Sequence, residues 1–405
     1  MQKLRTNNKE HYYTFLLLTS ILLIAATLRS PMTSFGPLIP FIREDLAISN
    51  VTIGLVNTLP LVMFGLFSPL VPRISRKTGM EFMLLFAMIV LTIGIVFRSL
   101  GYTPFLLVGT LLLGLGIAVG NVLMPGLIKL SFPLRIGIMM GIYSVSMNLF
   151  GAFASGLSVP IAESNAFNWQ HALLLWAVLS AIAVLFICLR LPVMLSSRKK
   201  VPGKVDNQPS SSIFRSKLAW CVSLFMGLQS FIPYSLFTWL PDILLNKGFT
   251  ESEAGWFMAL MQVGLIPATF FVPIFAAKLK SQAWLAVASG LLFLIGLAGV
   301  TLTASSLTLL FLVVTGMGMG TTFSLAMMFF VLRTHTVEQS SQLSSMAQSI
   351  GYMIAATGPF LLGFIADSTK SWTVPLFILM VAAIGISLFG YAAGKDQKID
   401  NPTPS

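Results

Sequence analysis

The sequence predicts an all-α membrane protein with twelve transmembrane helices in two six-helix bundles. Of the 405 residues, 56% are hydrophobic and only 9% are charged, whereas soluble domains carry about 25% charged residues. The apolar residues form twelve runs, each at least about as long as the 20 residues that a helix needs to cross the hydrocarbon core. Several stretches of the first half return in the second half at a nearly constant offset, which indicates a duplicated unit.

The limits of the spans follow from the ends of the apolar runs. The predicted spans cover residues 14–42, 51–72, 80–98, 104–129, 137–161, 170–192, 218–244, 253–277, 283–302, 306–332, 341–366 and 372–394. We place both termini in the cytoplasm, because 20 of the 25 Lys and Arg residues then lie on the inner side, as the positive-inside rule requires. The four external ones are Arg43, Arg98, Lys247 and Lys370.

A polar segment divides the chain into two halves. Residues 193–217 are basic and rich in Ser and Pro, which predicts a cytoplasmic linker between a bundle at 1–192 and a bundle at 218–405. GLGIAVG at 114–120 corresponds to GMGMGTT at 316–322, an offset of 202. Both stretches lie inside spans, where small residues allow close helix packing. Parallel repeats are typical of secondary transporters, whose site lies near the midplane between the halves.

Charge and residue types argue against other classes of protein. The net charge of +12 does not indicate nucleic-acid binding, because the basic residues fall in short clusters between spans. Cys188 and Cys221 lie in apolar spans, which disfavours a disulfide or a metal site. No catalytic cluster lies at membrane depth, so neither an enzyme nor a cofactor is predicted. A receptor or sensor would need a soluble domain, and the linker is the longest polar segment.

Arg29 is the one charged residue in the middle of a predicted span. A charge at this depth costs about 2.5–3.5 kcal/mol on insertion scales. We expect a water-filled cavity and a bound substrate to compensate it, because a guanidinium is permanently charged and binds carboxylate-like groups through two hydrogen bonds. Alternatively, backbone carbonyls at a helix break near Pro31 cap the arginine.

Uncharged polar side chains at similar depth extend the predicted binding site. Gln348 and Tyr352 are four residues apart and share one helix face, and Gln229 falls one residue from the repeat counterpart of Arg29. Each could instead make an interhelical hydrogen bond. The predicted site comprises Arg29, Asn57, Asn121, Asn148, Gln229, Gln262, Gln348 and Tyr352. The thirteen carboxylates fall in loops or at span ends, so no carboxylate proton relay through the membrane is predicted.

The basic stretch LVPRISRKTG at 70–79 is predicted to be a loop between spans two and three. It resembles the signature loop of the major facilitator superfamily, usually written G-x-x-x-D-R-x-G-R-R/K. Arg73, Arg76 and Lys77 match the basic positions and are the predicted gating residues. Pro72 replaces the Asp and Ser75 the second Gly, so an ion pair made by that Asp is not expected.

Five stretches resemble the cyanate and 2-nitroimidazole transporter family, a bacterial branch of the same superfamily. They are ATLRSPMTSFGPLIP (26–40), NTLPLVMFGLFSPL (57–70), GNVLMPGLIK (120–129), WLPDILLNKGFTESEAG (239–255) and SSMAQSIGYMIAATGP (344–359). The resemblance implies twelve helices in two bundles, alternating access, and a small anion or compact polar organic solute. It also implies the inner membrane of a bacterium. We expect a monomer whose partners are the lipid bilayer and the solute.

One alternative within transport stays open. The chain could be a proton-linked efflux pump for neutral toxic compounds or drugs. The G-P-x-x-G-G pattern that drug exporters carry in span five is absent, since Gly151 and Gly156 stand there without the proline. The sequence is compatible with import or export and with transport with or without a coupling ion.

Overall fold

A computed structural model of the chain describes residues 2–48, 50–164, 166–192, 195, 211–303 and 305–399. This part of the chain is helical apart from short connections. The helices are α1 (Gln2–Thr33), α2 (Phe35–Leu46), α3 (Asn50–Phe67), α4 (Val71–Thr78), α5 (Met80–Arg98), α6 (Thr103–Ser131), α7 (Ile136–Ala162), α8 (Trp169–Cys188), α9 (Ser211–Arg215), α10 (Lys217–Asn246), α11 (Glu251–Lys278), α12 (Ala283–Leu302), α13 (Ser305–Leu332), α14 (Val337–Thr369) and α15 (Thr373–Gly394). Within these described residues, twelve stretches are long and apolar enough to cross a membrane, which confirms the predicted count.

Helices are the expected elements, because a backbone in hydrocarbon must satisfy its polar groups within the segment. Where the helices reach the connections, polar side chains complete the first turn. Asn168, Ser216, Thr250 and Thr336 each accept a hydrogen bond from the backbone N–H three residues on. Such caps satisfy donors that a helix start leaves without partners. The polar residues between spans therefore set where the helices begin.

The first predicted span, residues 14–42, is divided between two helices. α1 ends at Thr33 and α2 begins at Phe35, with Ser34 between them. Pro31 lies in the last turn of α1 and has no N–H to donate to the helix. We refer to residues Pro31–Phe35 as the break. The sequence suggested a break near Pro31 but predicted a single continuous span.

The prediction of a loop over residues 70–79 is wrong. A short 3-10 turn at Ser68–Leu70 leads into α4, which covers Val71–Thr78. Pro72 sits in the first turn of α4, where a helix does not need the missing N–H. Only Gly79, with a φ of 92°, turns the chain before α5. Such a positive φ favours glycine.

The chain folds into two compact units. Unit 1 comprises Met1–Met124 and Ile142–Asn207, and unit 2 comprises Pro125–Gly141 and Gln208–Ser405. The segment Pro125–Gly141, predicted to belong to the first bundle, thus packs within unit 2. Of the predicted linker 193–217, residues 193, 194 and 196–210 lie outside the described residues. The boundaries of the two bundles and the linker therefore stay a prediction.

Within unit 1, hydroxyl groups join the first span to α7. Three side chains donate to backbone carbonyls of the facing helix. These bonds are Ser146 Oγ to Leu22 O at 3.0 Å, Thr33 Oγ1 to Gly151 O at 2.8 Å, and Ser158 Oγ to Ser34 O at 3.0 Å. Because Leu22 and Ser34 stand at the same sequence offset from their partners, the two helices run parallel.

The duplicated stretches make similar contacts in the two units. A Cβ added to Gly116 in α6 would lie 2.7 Å from the carbonyl oxygen of Ala87 in α5. A Cβ added to Gly318 in α13 would lie 3.1 Å from the backbone nitrogen of Phe293 in α12. Each fourth span therefore lies against the third span of its own half, at a distance that only small residues permit.

Each unit also has a buried arginine whose side chain bonds a residue at the start of the third span of its half. In unit 1, Arg190 Nη2 lies 3.0 Å from Glu81 Oε1. In unit 2, Arg333 Nη2 donates to the side-chain oxygen of Gln282, 201 residues after Glu81, and Nε donates to Ala393 O at 2.7 Å. Burial lowers the pKa of Arg333 to about 10. These arginines are occupied by protein partners.

Lys129 ties the segment Pro125–Gly141 to α13 within unit 2. Its Nζ donates to Val331 O at 3.0 Å, to Thr334 O at 2.7 Å and to Thr334 Oγ1 at 2.8 Å. The last carbonyls of a helix carry partial negative charge and have no intrahelical donor. An ammonium group at this end therefore stabilises α13.

Candidate binding site

Arg29 lies in α1, one turn before the break, and is partly buried. Its stem passes over α7, where a Cβ added to Gly151 would lie 2.7 Å from Arg29 Cγ. Thr33, one turn further on, donates to Gly151 O. Among the described residues, the guanidinium of Arg29 has no hydrogen bond and no ion pair. The stem of Arg29 is thus packed on Gly151 beside Thr33, while its charged group is left without a bonded partner among the described residues.

Arg98, counted from the sequence among the external topology residues, has a buried side chain. It is the last residue of α5 and only 4% exposed. Its Nη1 donates to Pro31 O at 2.8 Å, and its guanidinium carbon lies 4.2 Å from the centroid of the Phe35 ring. The break is therefore capped by Arg98. The alternative in which carbonyls near Pro31 cap Arg29 is wrong.

Two of the predicted asparagines in unit 1 are buried and bonded. Asn121 is 2% exposed and faces the hydroxyl of Tyr143 at 3.5 Å. Asn148 donates from Nδ2 to the carbonyl of Ser144, one turn before it in α7, at 2.8 Å. Asn57 in α3 is exposed. The bond of Asn148 thus lies within its own helix and is not the interhelical bond that the sequence offered as the alternative.

In unit 2, Gln348 is fully buried in α14 and only half satisfied. Its Nε2 donates to Ser344 Oγ at 2.8 Å, whereas Oε1 has no partner in the described part of the chain. A buried carbonyl without a donor costs about 1–3 kcal/mol. Tyr352, one turn on, is buried too, and its ring centroid lies 6.4 Å from that of Tyr234.

The remaining predicted glutamines of unit 2 differ in burial. Gln229 in α10 is 2% exposed, and its Nε2 donates to Ser230 Oγ at 2.8 Å. Met226 Sδ lies 3.1 Å from the same nitrogen. Gln262 in α11 is partly buried. The eight predicted residues thus divide evenly, with Arg29 and the three asparagines in unit 1 and the three glutamines and Tyr352 in unit 2.

The predicted gating residues lie on α4. Arg73 and Lys77 are exposed and Arg76 is partly buried. Among the described residues, none of the three has an ion pair. Arg76 and Lys77 occupy the last turn of α4, where positive charge is favourable. This local stabilisation accounts for their position without an acidic partner.

Comparison with known proteins identifies the family. The profile of the Major Facilitator Superfamily matches residues 21–356. The chain belongs to this superfamily. It is 42% identical to the uncharacterized transporter YycB of Bacillus subtilis (strain 168), with 95% of each chain covered. It is 38% identical to the 2-nitroimidazole transporter of Escherichia coli (strain K12), covering 95% of this chain and 96% of that one.

More distant relatives agree with this assignment. The cyanate transport protein CynX of Escherichia coli (strain K12) is 25% identical, over 92% of this chain and 95% of its own. The predicted resemblance to the cyanate and 2-nitroimidazole transporter family is thus confirmed. Among solved structures, the proton:xylose symporter XylE superposes with a TM-score of 0.77 at 13% identity, covering 96% of this chain and 98% of that one. That likeness confirms the predicted fold class.

Proposed function

We propose that this chain is a secondary active or facilitative transporter of a small anion or compact polar organic solute, of the cyanate- or nitroimidazole-like class. The observation that carries the proposal is Arg29, a permanent charge in a membrane-length helix with no bonded partner among the described residues. Relatives named for 2-nitroimidazole and cyanate transport support the solute class.

The contrast with the buried arginines supports a ligand role for Arg29. Arg98, Arg190 and Arg333 each donate to a carbonyl, a carboxylate or an amide of the protein. A guanidinium without such a partner in a membrane span is costly. An anionic or strongly polar group of the solute, gripped by two N–H donors, would supply the missing acceptors. Arg29 is then the anchor of the solute.

The polar residues of the predicted set would orient the solute. Gln348 is the best supported of these, because its Oε1 lacks a donor among the described residues. Asn57, Asn121, Asn148, Gln229, Gln262 and Tyr352 complete the proposed set. We place the protein in the inner membrane of a bacterium as a monomer with both termini in the cytoplasm.

We assign transport to alternating access, in which the bundles at 1–192 and 218–405 rock as units. Arg73, Arg76 and Lys77 on α4 are the proposed gating residues. Family membership and the duplicated stretches support this mechanism.

The decisive experiment is uptake into proteoliposomes by Arg29 variants. Cyanate and 2-nitroimidazole are the first solutes to assay. Truncating one partner of a buried charge pair costs about 2–5 kcal/mol, so Arg29→Ala should lose roughly 30-fold or more in transport, and Arg29→Lys should keep part of it. Arg43→Ala removes an exposed arginine and serves as the control. Undiminished transport by folded Arg29→Ala contradicts the proposal.

The same variants separate this function from proton-linked efflux of neutral compounds. A pump for uncharged solutes gains little from a guanidinium anchor, so Arg29→Ala should then leave resistance to toxic compounds unchanged. Resistance is measured in cells that overproduce each variant at equal levels. For the proposed transporter, uptake of the anion or compact polar solute should depend on Arg29, and overproduction should give no resistance to neutral drugs outside that class.

A further inference from the structure

The break in the first span is held from two sides within unit 1. From α7, Ser158 Oγ donates to Ser34 O at 3.0 Å. From α5, Arg98 contacts both parts of the broken span. Its Nη1 donates to Pro31 O in the last turn of α1, and its guanidinium covers the ring of Phe35, the first residue of α2. Arg98 is thus the side chain that bridges the break.

A guanidinium in this place is not explained by packing. Arg98 is 4% exposed, and in the described part of the chain it has no ion pair and its Nε has no partner. An apolar side chain of similar length would fill the space without burying a charge. A guanidinium, unlike an apolar side chain, supplies both a strong hydrogen bond to the carbonyl of Pro31 and a cation–π contact with the Phe35 ring. The charge of Arg98 therefore stabilises the break.

The break adjoins two parts of unit 1. Arg29 lies in α1, two residues before Pro31. On the other side lies α2, whose buried residues Phe35, Leu38 and Ile42 pack with Trp169 of α8. α2 is tethered at its other end as well, because Trp169 Nε1 donates to Asp45 Oδ2 at 2.9 Å.

We propose that Arg98 is a positioning residue for solute binding: it holds the break in one geometry and thereby directs Arg29. The inference rests on the proposed function of Arg29 for its effect on the solute. Its effect on the break does not depend on any solute. Loss of Arg98 should let the orientation of α2 and of the α1 turn that carries Arg29 vary. The side chains that bind the solute would stay the same.

The test uses a cysteine reporter in the break. Ser34 is fully buried there, and Ser34→Cys keeps the backbone carbonyl that accepts from Ser158, so the reagent should reach the new thiol only when the break opens. Ser34→Cys is introduced into a Cys188→Ala, Cys221→Ala background, which removes both native cysteines. Maleimide labelling of the purified protein in detergent reports opening of the break, and uptake in proteoliposomes reports KM and maximal rate per folded transporter.

Arg98→Met keeps the length of the side chain and removes its charge. We expect labelling about fivefold faster, as for a local opening, and KM about tenfold higher with a nearly unchanged maximal rate, because small misplacements of a binding group are costly. Arg98→Lys should restore part of both. The matched control is Arg190→Met, which removes the buried cation that pairs with Glu81 at the other end of α5 and should leave both readouts within about twofold.

Three outcomes overturn the inference. One is folded Arg98→Met with wild-type labelling and KM. Another is an equal change in Arg190→Met, which would indicate general loosening. If Arg98→Met fails to fold, Phe35→Leu removes the cation–π contact and keeps an apolar side chain and the bond from Arg98 to Pro31 O. Labelling that stays at the wild-type rate in this variant is the third outcome. Arg29→Ala should label like the wild type, so uptake that survives Arg29→Ala refutes the proposed function separately from the labelling result.

Discussion

Arg29 and Arg98 are two arginines of unit 1 near one helix break, and they differ in burial and in bonding. Arg98 comes from the end of a span, yet it is 4% exposed and bonded to Pro31 O. Arg29 comes from the middle of a span, yet it is only partly buried and has no bonded partner among the described residues. Position along a helix therefore does not give burial, which depends on the neighbouring helices.

We therefore expect Arg98 to contribute to the free energy of folding and Arg29 to the free energy of solute binding. Arg98 is bonded to a carbonyl and packs on an aromatic ring, so without Arg98 the buried Pro31 O would lose a hydrogen-bond donor. Arg29 is satisfied by nothing among the described residues, so the folded protein gains little from it. We therefore expect loss of Arg98 to lower the stability of the protein and loss of Arg29 to lower solute binding.

The largest expected effect is on stability without solute. Arg98→Ala leaves Pro31 O without its strongest donor and opens a cavity beside Phe35, and it should lower the free energy of unfolding by about 1–3 kcal/mol. Arg29→Ala should cause no loss. Thermal unfolding of both purified variants at equal detergent concentration measures this. An equal loss in Arg29→Ala would show that Arg29 has a structural partner, and the contrast between the two residues would fail.

A smaller effect concerns the stem of Arg29. A Cβ on Gly151 would come 2.7 Å from Arg29 Cγ, so Gly151→Ala should push the side chain aside and raise KM about tenfold, since misplaced binding groups are costly. Gly156→Ala on the same helix is the matched control, because a Cβ there meets nothing within 4 Å. Kinetics of uptake check both. The same KM in both variants would show that Gly151 does not direct Arg29.

A further effect concerns the second polar group of the proposed site. Gln348→Met removes a buried carbonyl that has no partner among the described residues, together with one bond to Ser344. Stability should change by less than about 1 kcal/mol, because both effects are small and opposed. Solute affinity should fall several-fold. A variant that keeps full affinity in an equilibrium binding assay would remove Gln348 from the site.

The smallest effect tests the other side of the break. Ser158→Ala deletes the bond to Ser34 O, and bonds of this kind between membrane helices average about 0.6 kcal/mol. Its loss should therefore be well below that of Arg98→Ala in thermal unfolding. If Ser158→Ala destabilises the protein more than Arg98→Ala, then α7 and not α5 holds the break.

The sequence was enough to predict the spans, because length and apolarity decide whether a helix crosses hydrocarbon. It was also enough to single out Arg29, because a charge inside an apolar run is visible without coordinates. It could not predict the role of Arg98, which depends on which carbonyl lies beside the end of α5. Nor could it predict α4, because basic and polar residues at 70–79 resemble a loop while still forming a helix.

The sequence contained only a weak indication of the contact between Gly151 and Arg29. In the sequence Gly151 stands only as a glycine of the G-P-x-x-G-G pattern, which the chain does not complete. Its contact with the Arg29 stem follows from the parallel packing of α1 and α7, which the bonds of Ser146 and Ser158 fix at one sequence offset. No pattern along either helix alone contains this register.

The claim that Arg29 binds the solute is tested most directly by ligand-dependent stability. A ligand that binds the folded state raises its apparent stability by mass action. Purified wild-type protein, Arg29→Ala and Arg43→Ala are heated with increasing cyanate, with other small anions and with 2-nitroimidazole. We expect at least one of these solutes to raise the melting temperature of the wild type and of Arg43→Ala and to leave that of Arg29→Ala unchanged. The same rise in Arg29→Ala would contradict a role of Arg29 in binding the solute.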